Sequence, residues 1–224
     1  MGVKVNLSIY ILTILAAIIF LGLLQRTLDR MRLSDRAALL IIGLLAAGTW
    51  LPDLPLGMVR INLGSTLVPL GLGVYLIGTA GTFREQVRGT AAIVASTIAV
   101  LVLDWVLPQE PGPMFIDPLY AYGLAAGVIG YLAGRSRRAA FVGGMLGVLA
   151  ADVIILLQQL PLTRPYQLGS GIFDASLIAG VVGVGLAEII GEARELVAPD
   201  RGNKVTWLED KRREKYNNKQ GPKK

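Results

Sequence analysis

The chain contains neither cysteine nor histidine. That removes disulfide frameworks, zinc fingers, iron–sulfur clusters, haem attachment and the histidine-dependent catalytic arrangements. Without cysteine there is also no reading of redox compartment. Charge is scarce as well. The 224 residues carry 22 basic and 16 acidic side chains, and the last 34, Gly191 to Lys224, hold 10 and 6 of these. The first 190 residues are therefore about 12% charged, roughly half the soluble average. No lysine lies inside any apolar run, so a serine–lysine dyad within a bilayer is excluded. No internal repeat is visible, which argues against an inverted-repeat transporter.

What is present is apolar: 53% of the chain is hydrophobic. A soluble domain of this size has no place to hide so much surface, and the body reads as a multispanning membrane protein. Seven apolar runs stand out: Val5–Leu24, Ala37–Leu51, Ile61–Thr79, Ala91–Leu107, Met114–Ala133, Ala139–Leu157 and Gly171–Ile190. Most approach the roughly 20 residues needed to cross a ~30 Å hydrocarbon core, and the second is short. Counted across alternating loops, 19 basic residues fall on the side of the tail and 3 on the other. The excess of arginine and lysine on cytoplasmic loops then sets the orientation.

The expectation is an all-α, polytopic membrane helix bundle of about seven transmembrane helices, N-terminus out and C-terminus in, in the plasma membrane. The bundle occupies residues 1–190, and residues 191–224 form a polar, basic cytoplasmic tail. The basic residues sit in short loops between apolar runs, so the positive net charge reflects topology rather than nucleic-acid binding. The expected partner is the lipid bilayer, and the tail around Trp207 and Leu208 offers a surface for anionic lipid or a cytoplasmic protein.

Two features inside the runs carry information. Gly123, Gly127, Gly130 and Gly134 recur at steps of four, three and four, which puts them on roughly one helix face. Small residues let helices approach closely in lipid, so this is foremost a packing stripe. Charged groups within spans are expensive and tend to mark function. Asp104, Asp152 and Asp174 lie within runs, Asp117 lies at the mouth of one, and Glu188 lies at the far end of the last. Asp104 and Asp152 each follow the start of their run by 13 residues, about 20 Å along a helix. Under the seven-span topology they reach the same outer layer as Asp174, Arg60 and Asn62. Glu188 sits near the opposite interface and reads first as a residue that snorkels or pairs with a loop.

The expected site is thus an outward-facing acidic pocket of Asp104, Asp152 and Asp174, with Arg60, Asn62 and Asp117 nearby. Four aspartates answered by one arginine are unfavourable in a low dielectric. Either some are protonated or a cation occupies the site. The competing reading is that each aspartate separately caps a helix, pairs with arginine or faces water.

The segments Ile61-Asn62-Leu63-Gly64, Gly147 to Asp152 and Gly169-Ser170-Gly171-Ile172-Phe173-Asp174 resemble a family of bacterial and archaeal multispanning membrane proteins of unknown function. The likeness runs from about Arg60 to Ile190. It implies one aspartate at the end of a glycine–alanine stretch and another after a glycine-rich turn and phenylalanine, matching Asp152 and Asp174. This chain departs from the pattern at Ala175, where glycine is expected, and in having Ala150 before Ala151. The resemblance points to these positions and implies no particular activity.

Three functions compete. The leading one is binding or transport of a cation, a proton or a small solute by the carboxylate pocket, with a bound cation the one cofactor the residues suggest. The second is an intramembrane aspartyl hydrolase in which Asp152 and Asp174 share a proton and activate water. The glycine-x-glycine-aspartate motif of presenilin-like and prepilin peptidases is not reproduced. The third is a non-catalytic membrane scaffold whose tail recruits a partner. Whether the chain is an enzyme stays open at this point.

Overall fold

The computed structural model describes residues 7–31, 33–48, 50–107, 118–169 and 173–197. Contacts divide the chain into two compact units, Met1–Glu188 and Ile189–Lys224. In the second, residues 189–197 continue the last helix.

The described helices in the first part of the chain are short. Helix α1 (Leu7–Phe20) is followed by Gly22 at φ +73°. The Gly22 and Leu23 amides return to the Ile19 and Ile18 carbonyls, a left-handed turn that satisfies the last carbonyls and terminates the helix. Helix α2 (Gln25–Arg30) is a turn and a half. Helix α3 (Asp35–Gly48) starts at Ser34, whose hydroxyl accepts from the Ala37 amide. The chain then makes two three-residue strands, β1 (Leu54–Leu56) and β2 (Val59–Ile61). Asn62 caps a π-helical turn over Leu63–Leu67, which runs into α4 (Val68–Gly78) with Pro69 in its first turn.

The second part is a bundle of long helices: α5 (Phe83–Val106), α6 (Pro118–Gly134), α7 (Arg137–Gln158) and α8 (Phe173–Val197). Thr82 and Ser136 cap α5 and α7 by accepting from the Glu85 and Ala139 amides. Close approaches fix the register. Gly143 and Gly147 of α7 face Ala92 and Ser96 of α5, so those two helices run parallel. Gly130 and Gly134 of α6 face Gly144 and Ala139 of α7, so these run antiparallel. Gly123 and Gly127 face Ala175 and Ala179 of α8. The result is an up-down-up-down arrangement with α7 as its most enclosed member. A methyl group on Gly144 would lie 2.6 Å from the Ala179 carbonyl oxygen, so the backbones touch without side chains between them. Hydroxyls of α5 tie that helix to α6 and α7. Ser96 reaches the Ala126 carbonyl at 3.0 Å, and Thr97 reaches the Gly147 carbonyl at 3.1 Å. The short helices pack on the other flank of α7, where Leu12, Ile42, Leu45 and Leu76 meet Val142, Met145 and Leu149.

Strand β3 (Tyr166–Leu168) lies in the connection from α7 to α8 and pairs parallel with β2, which pairs antiparallel with β1. This small sheet is the one departure from an all-α bundle among the described residues, and it was not expected.

The seven-span topology requires correction. Among the described residues, three helices are long and apolar enough to cross a membrane: Phe83–Val106, Arg137–Gln158 and the Phe173–Arg194 part of α8. The described helices in the other apolar runs are shorter. In Val5–Leu24 the described helix has 14 residues, about 21 Å, and ends before the turn at Gly22, while Val5 and Asn6 lie outside the described residues. In Ala37–Leu51 the helix again has 14 residues. In Ile61–Thr79 the first residue belongs to a strand, the second caps a turn, and α4 keeps 11 residues. In Met114–Ala133 the described helix has 17 residues, and Met114 to Asp117 lie outside the described residues. The orientation with N-terminus out and C-terminus in was derived from seven alternating crossings and falls with that count, as does the description of the acidic pocket as outward-facing.

Candidate functional site

Asp152 lies in the penultimate turns of α7 and is 4% exposed. The connection after α7 folds back over it. β3 is anchored to β2, and this places Tyr166 and Gly169 against the carboxylate. The Tyr166 hydroxyl donates to Asp152 Oδ1 at 2.5 Å, and the Gly169 amide donates to Oδ2 at 2.7 Å. Gly169 adopts φ +80°, and a Cβ there would lie 2.2 Å from Thr66 Oγ1, so both conformation and space require glycine. Thr66 in turn donates to the Leu168 carbonyl at 2.9 Å, which stitches the π-helical turn to the end of β3.

Asn62 holds the other side of this layer. Its Oδ1 accepts from the Ser65 amide at 2.9 Å and hydroxyl at 3.0 Å, while its Nδ2 donates to Asp53 at 2.9 Å. Asn62 and Asp152 are thus joined through Ser65, Thr66, Leu168 and Gly169 rather than by direct contact. Asp104, near the end of α5, accepts from the Tyr122 hydroxyl of α6 at 3.0 Å. Its charge is also felt by Tyr166. Burial foremost pushes the Tyr166 phenol above its ordinary range, followed by the hydrogen bond to Asp152 and the negative charges of Asp152 and Asp104.

The expected residues therefore divide. Asp152, Asp104 and Asn62 lie in one polar layer at the end of the bundle that carries the sheet. Asp174 is half-buried in the first turn of α8. Arg60 is exposed in the middle of β2, while its neighbours Val59 and Ile61 are partly buried. A strand alternates faces, so the residue between two inward ones points out. Asp117 lies outside the described residues. Sequence reasoning missed Tyr122, Tyr166 and Gly169. The last two sit in a connection broken by Pro161 and Pro165, whose polar character signalled only a loop.

The chemistry of Asp152 is unusual in one respect. Both oxygens are held by neutral donors, and neither meets a cation among the described residues. A charge taken out of water without a counter-charge is costly, so this carboxylate is poised to gain a proton or a partner. Both oxygens are also occupied without another carboxylate, so the shared-proton contact between Asp152 and Asp174 that a dyad hydrolase needs is not formed. Among the described residues no cluster of three or more acidic side chains is arranged to hold a metal ion. Tyr166 borders a cleft of about 490 Å³ whose other lining residues are Gln159, Leu162, Thr163, Arg164 and Pro165. Tyr166 is thus a lining residue of that cleft and a hydrogen-bond donor to the buried carboxylate.

The opposite end of α7 is built from the other sign of charge. Arg138 is 4% exposed and donates to the Thr79 and Met31 carbonyls at 2.9 and 3.0 Å, with Glu85 at 3.9 Å. Arg137 pairs with Glu188 of α8, which also accepts from the Thr27 hydroxyl at 3.0 Å.

These features define a helix bundle with membrane-length apolar helices and a buried, hydroxyl-bound carboxylate at one end. No family model matches the chain, and neither a curated protein nor a solved structure does.

Proposed function

We propose that this chain is an integral membrane protein of the plasma membrane that binds and passes protons, with Asp152 as the proton-accepting group and Tyr166 as the link to the adjoining cleft. The observation that carries the reading is Asp152 itself, an enclosed carboxylate held by neutral donors near the end of a helix long enough to cross a bilayer. Intramembrane acids of this kind commonly serve proton relays. A hydroxyl both donates and accepts, so Tyr166 takes a proton from the cleft side as it gives its own to Asp152 Oδ1. The hop is concerted and forms no phenolate, in keeping with the raised phenol. A proton is favoured over a metal cation because the described residues offer no group of three acids. A small solute moving with the proton belongs to the same reading.

The test is proton movement in proteoliposomes carrying an internal pH indicator, comparing wild type with Asp152→Asn. The asparagine keeps the size of the side chain and both hydrogen bonds, with Nδ2 donating to Tyr166 and Oδ1 accepting from Gly169. A flux present in wild type and absent in the variant is expected. Equal fluxes in the two would count against the proposal.

A further inference from the structure

The exposed face of α5 and the arginines around its first turn point to a second kind of partner. Phe83 is 78% exposed and Trp105 88% exposed, at opposite ends of the helix. They are 22 residues apart, about 33 Å along a helix, close to the ~30 Å of a hydrocarbon core. Between them Val87, Val94, Ile98 and Val102 are exposed along one stripe, while Gly89, Ala92, Ser96 and Val100 turn inward. Aromatic side chains at both ends of an apolar stripe are the pattern of a helix that meets lipid.

At the Phe83 end the exposed charge is almost all positive. Arg84 and Arg88 lie on α5, Arg135 lies between α6 and α7, Arg36 begins α3 and Arg26 lies on α2. Contacts hold these elements together at that end: Met31 and Glu85 with Arg138, Thr27 with Glu188, and Gln25 with Asp35. The five arginines are exposed and make no ion pair among the described residues. The acids nearby are engaged elsewhere, Glu85 by Arg138 and the Gly81 amide, Glu188 by Arg137, and Asp35 by Gln25; Asp29 is exposed. All five cations are guanidinium groups, whose fork of donors matches two phosphate oxygens at once.

We infer that this arginine collar binds the phosphate headgroups of anionic phospholipids at one membrane interface, with the α5 stripe in the acyl chains below. The inference rests on the membrane reading above and is independent of Asp152. It places the Arg137–Arg138 knot at the headgroup level. Asp152 comes, through the α5–α7 register, about a turn below Trp105 at the other interface.

The test uses the full chain reconstituted in phosphatidylcholine with trace spin-labelled phosphatidylglycerol or phosphatidylcholine, reading the immobilised lipid fraction by electron paramagnetic resonance. The expected result is roughly threefold preference for phosphatidylglycerol, from cationic side chains held at an anionic surface. The preference disappears in about 1 M salt and in the R26Q/R36Q/R84Q/R88Q/R135Q variant. Should that variant fail to reconstitute, R84Q/R88Q on α5 is expected to lose about half the preference. Equal immobilisation of the two lipids in wild type, or an undiminished preference in these variants, overturns the inference. Immobilisation of neither lipid would instead overturn the membrane reading itself.

Discussion

The two ends of α7 solve the same problem in opposite ways. Each places a charged side chain where water is scarce, Arg138 at one end and Asp152 at the other, both 4% exposed. Arg138 donates to the terminal carbonyls of α2 and α4, whose partial negative charge a cation stabilises, and faces Glu85 at 3.9 Å, while its Nε makes no hydrogen bond among the described residues. Its neighbour Arg137 is answered by Glu188. The Asp152 end has its hydrogen bonds but no counter-charge among the described residues: a phenol and an amide hold the carboxylate, and the nearby Asp104 adds charge of the same sign. The contrast is between a buried cation that faces a carboxylate and a buried carboxylate held by neutral donors alone.

The largest effect is expected from Arg138→Ala. It strands two helix-terminal carbonyls and a glutamate that faced a cation, and should cost about 3 kcal/mol, measured as a shift in the denaturation midpoint in mixed micelles by circular dichroism. Asp152→Ala should cost less, about 2 kcal/mol, for the Gly169 amide and Tyr166 hydroxyl left without an acceptor. Asp152→Asn, which keeps both bonds, should stay within about 1 kcal/mol of wild type. If the asparagine variant were as unstable as Arg138→Ala, the two ends would be alike and the distinction would collapse.

A similarly small effect is expected from Tyr166→Phe, about 1 kcal/mol at neutral pH. It carries a pH signature that sharpens the comparison. The folded state holds the Tyr166 proton more tightly than the unfolded chain does, because the phenol is raised above its usual ~10. Its contribution is therefore complete below that value and declines as pH rises above it. Wild type should lose stability relative to Tyr166→Phe through the alkaline range. Parallel pH profiles for the two proteins would mean that Tyr166 is not coupled to Asp152 as described.

Much of this was readable from composition and spacing, and the rest was not, for reasons that differ residue by residue. Asp152 and Asn62 were visible because a polar group inside an apolar run needs an explanation. The glycines of α6 were visible because their steps match the helical repeat. The span count failed because a hydropathy sum treats Ile61 in a strand, Asn62 in a cap and Leu23 after a left-handed turn as if they continued a helix. Arg60 was assigned to the acids because the seven-span topology put it in the same layer, but strand alternation turns it outward. Tyr166 and Gly169 could not be found locally at all. Their positions depend on β3 pairing with β2, an interaction between Val59–Ile61 and Tyr166–Leu168 that leaves no mark in either segment alone.

The glycine contacts of α7 have a mechanical consequence. Gly144 meets Gly130 on one flank and Ala179 on the other at backbone distance, with no side chain as a cushion. Turning α7 about its long axis would drive the bulkier Met145 into one of those gaps. The three rods are therefore keyed together at backbone contact, and a larger residue at Gly130 or Gly144 would have to push them apart.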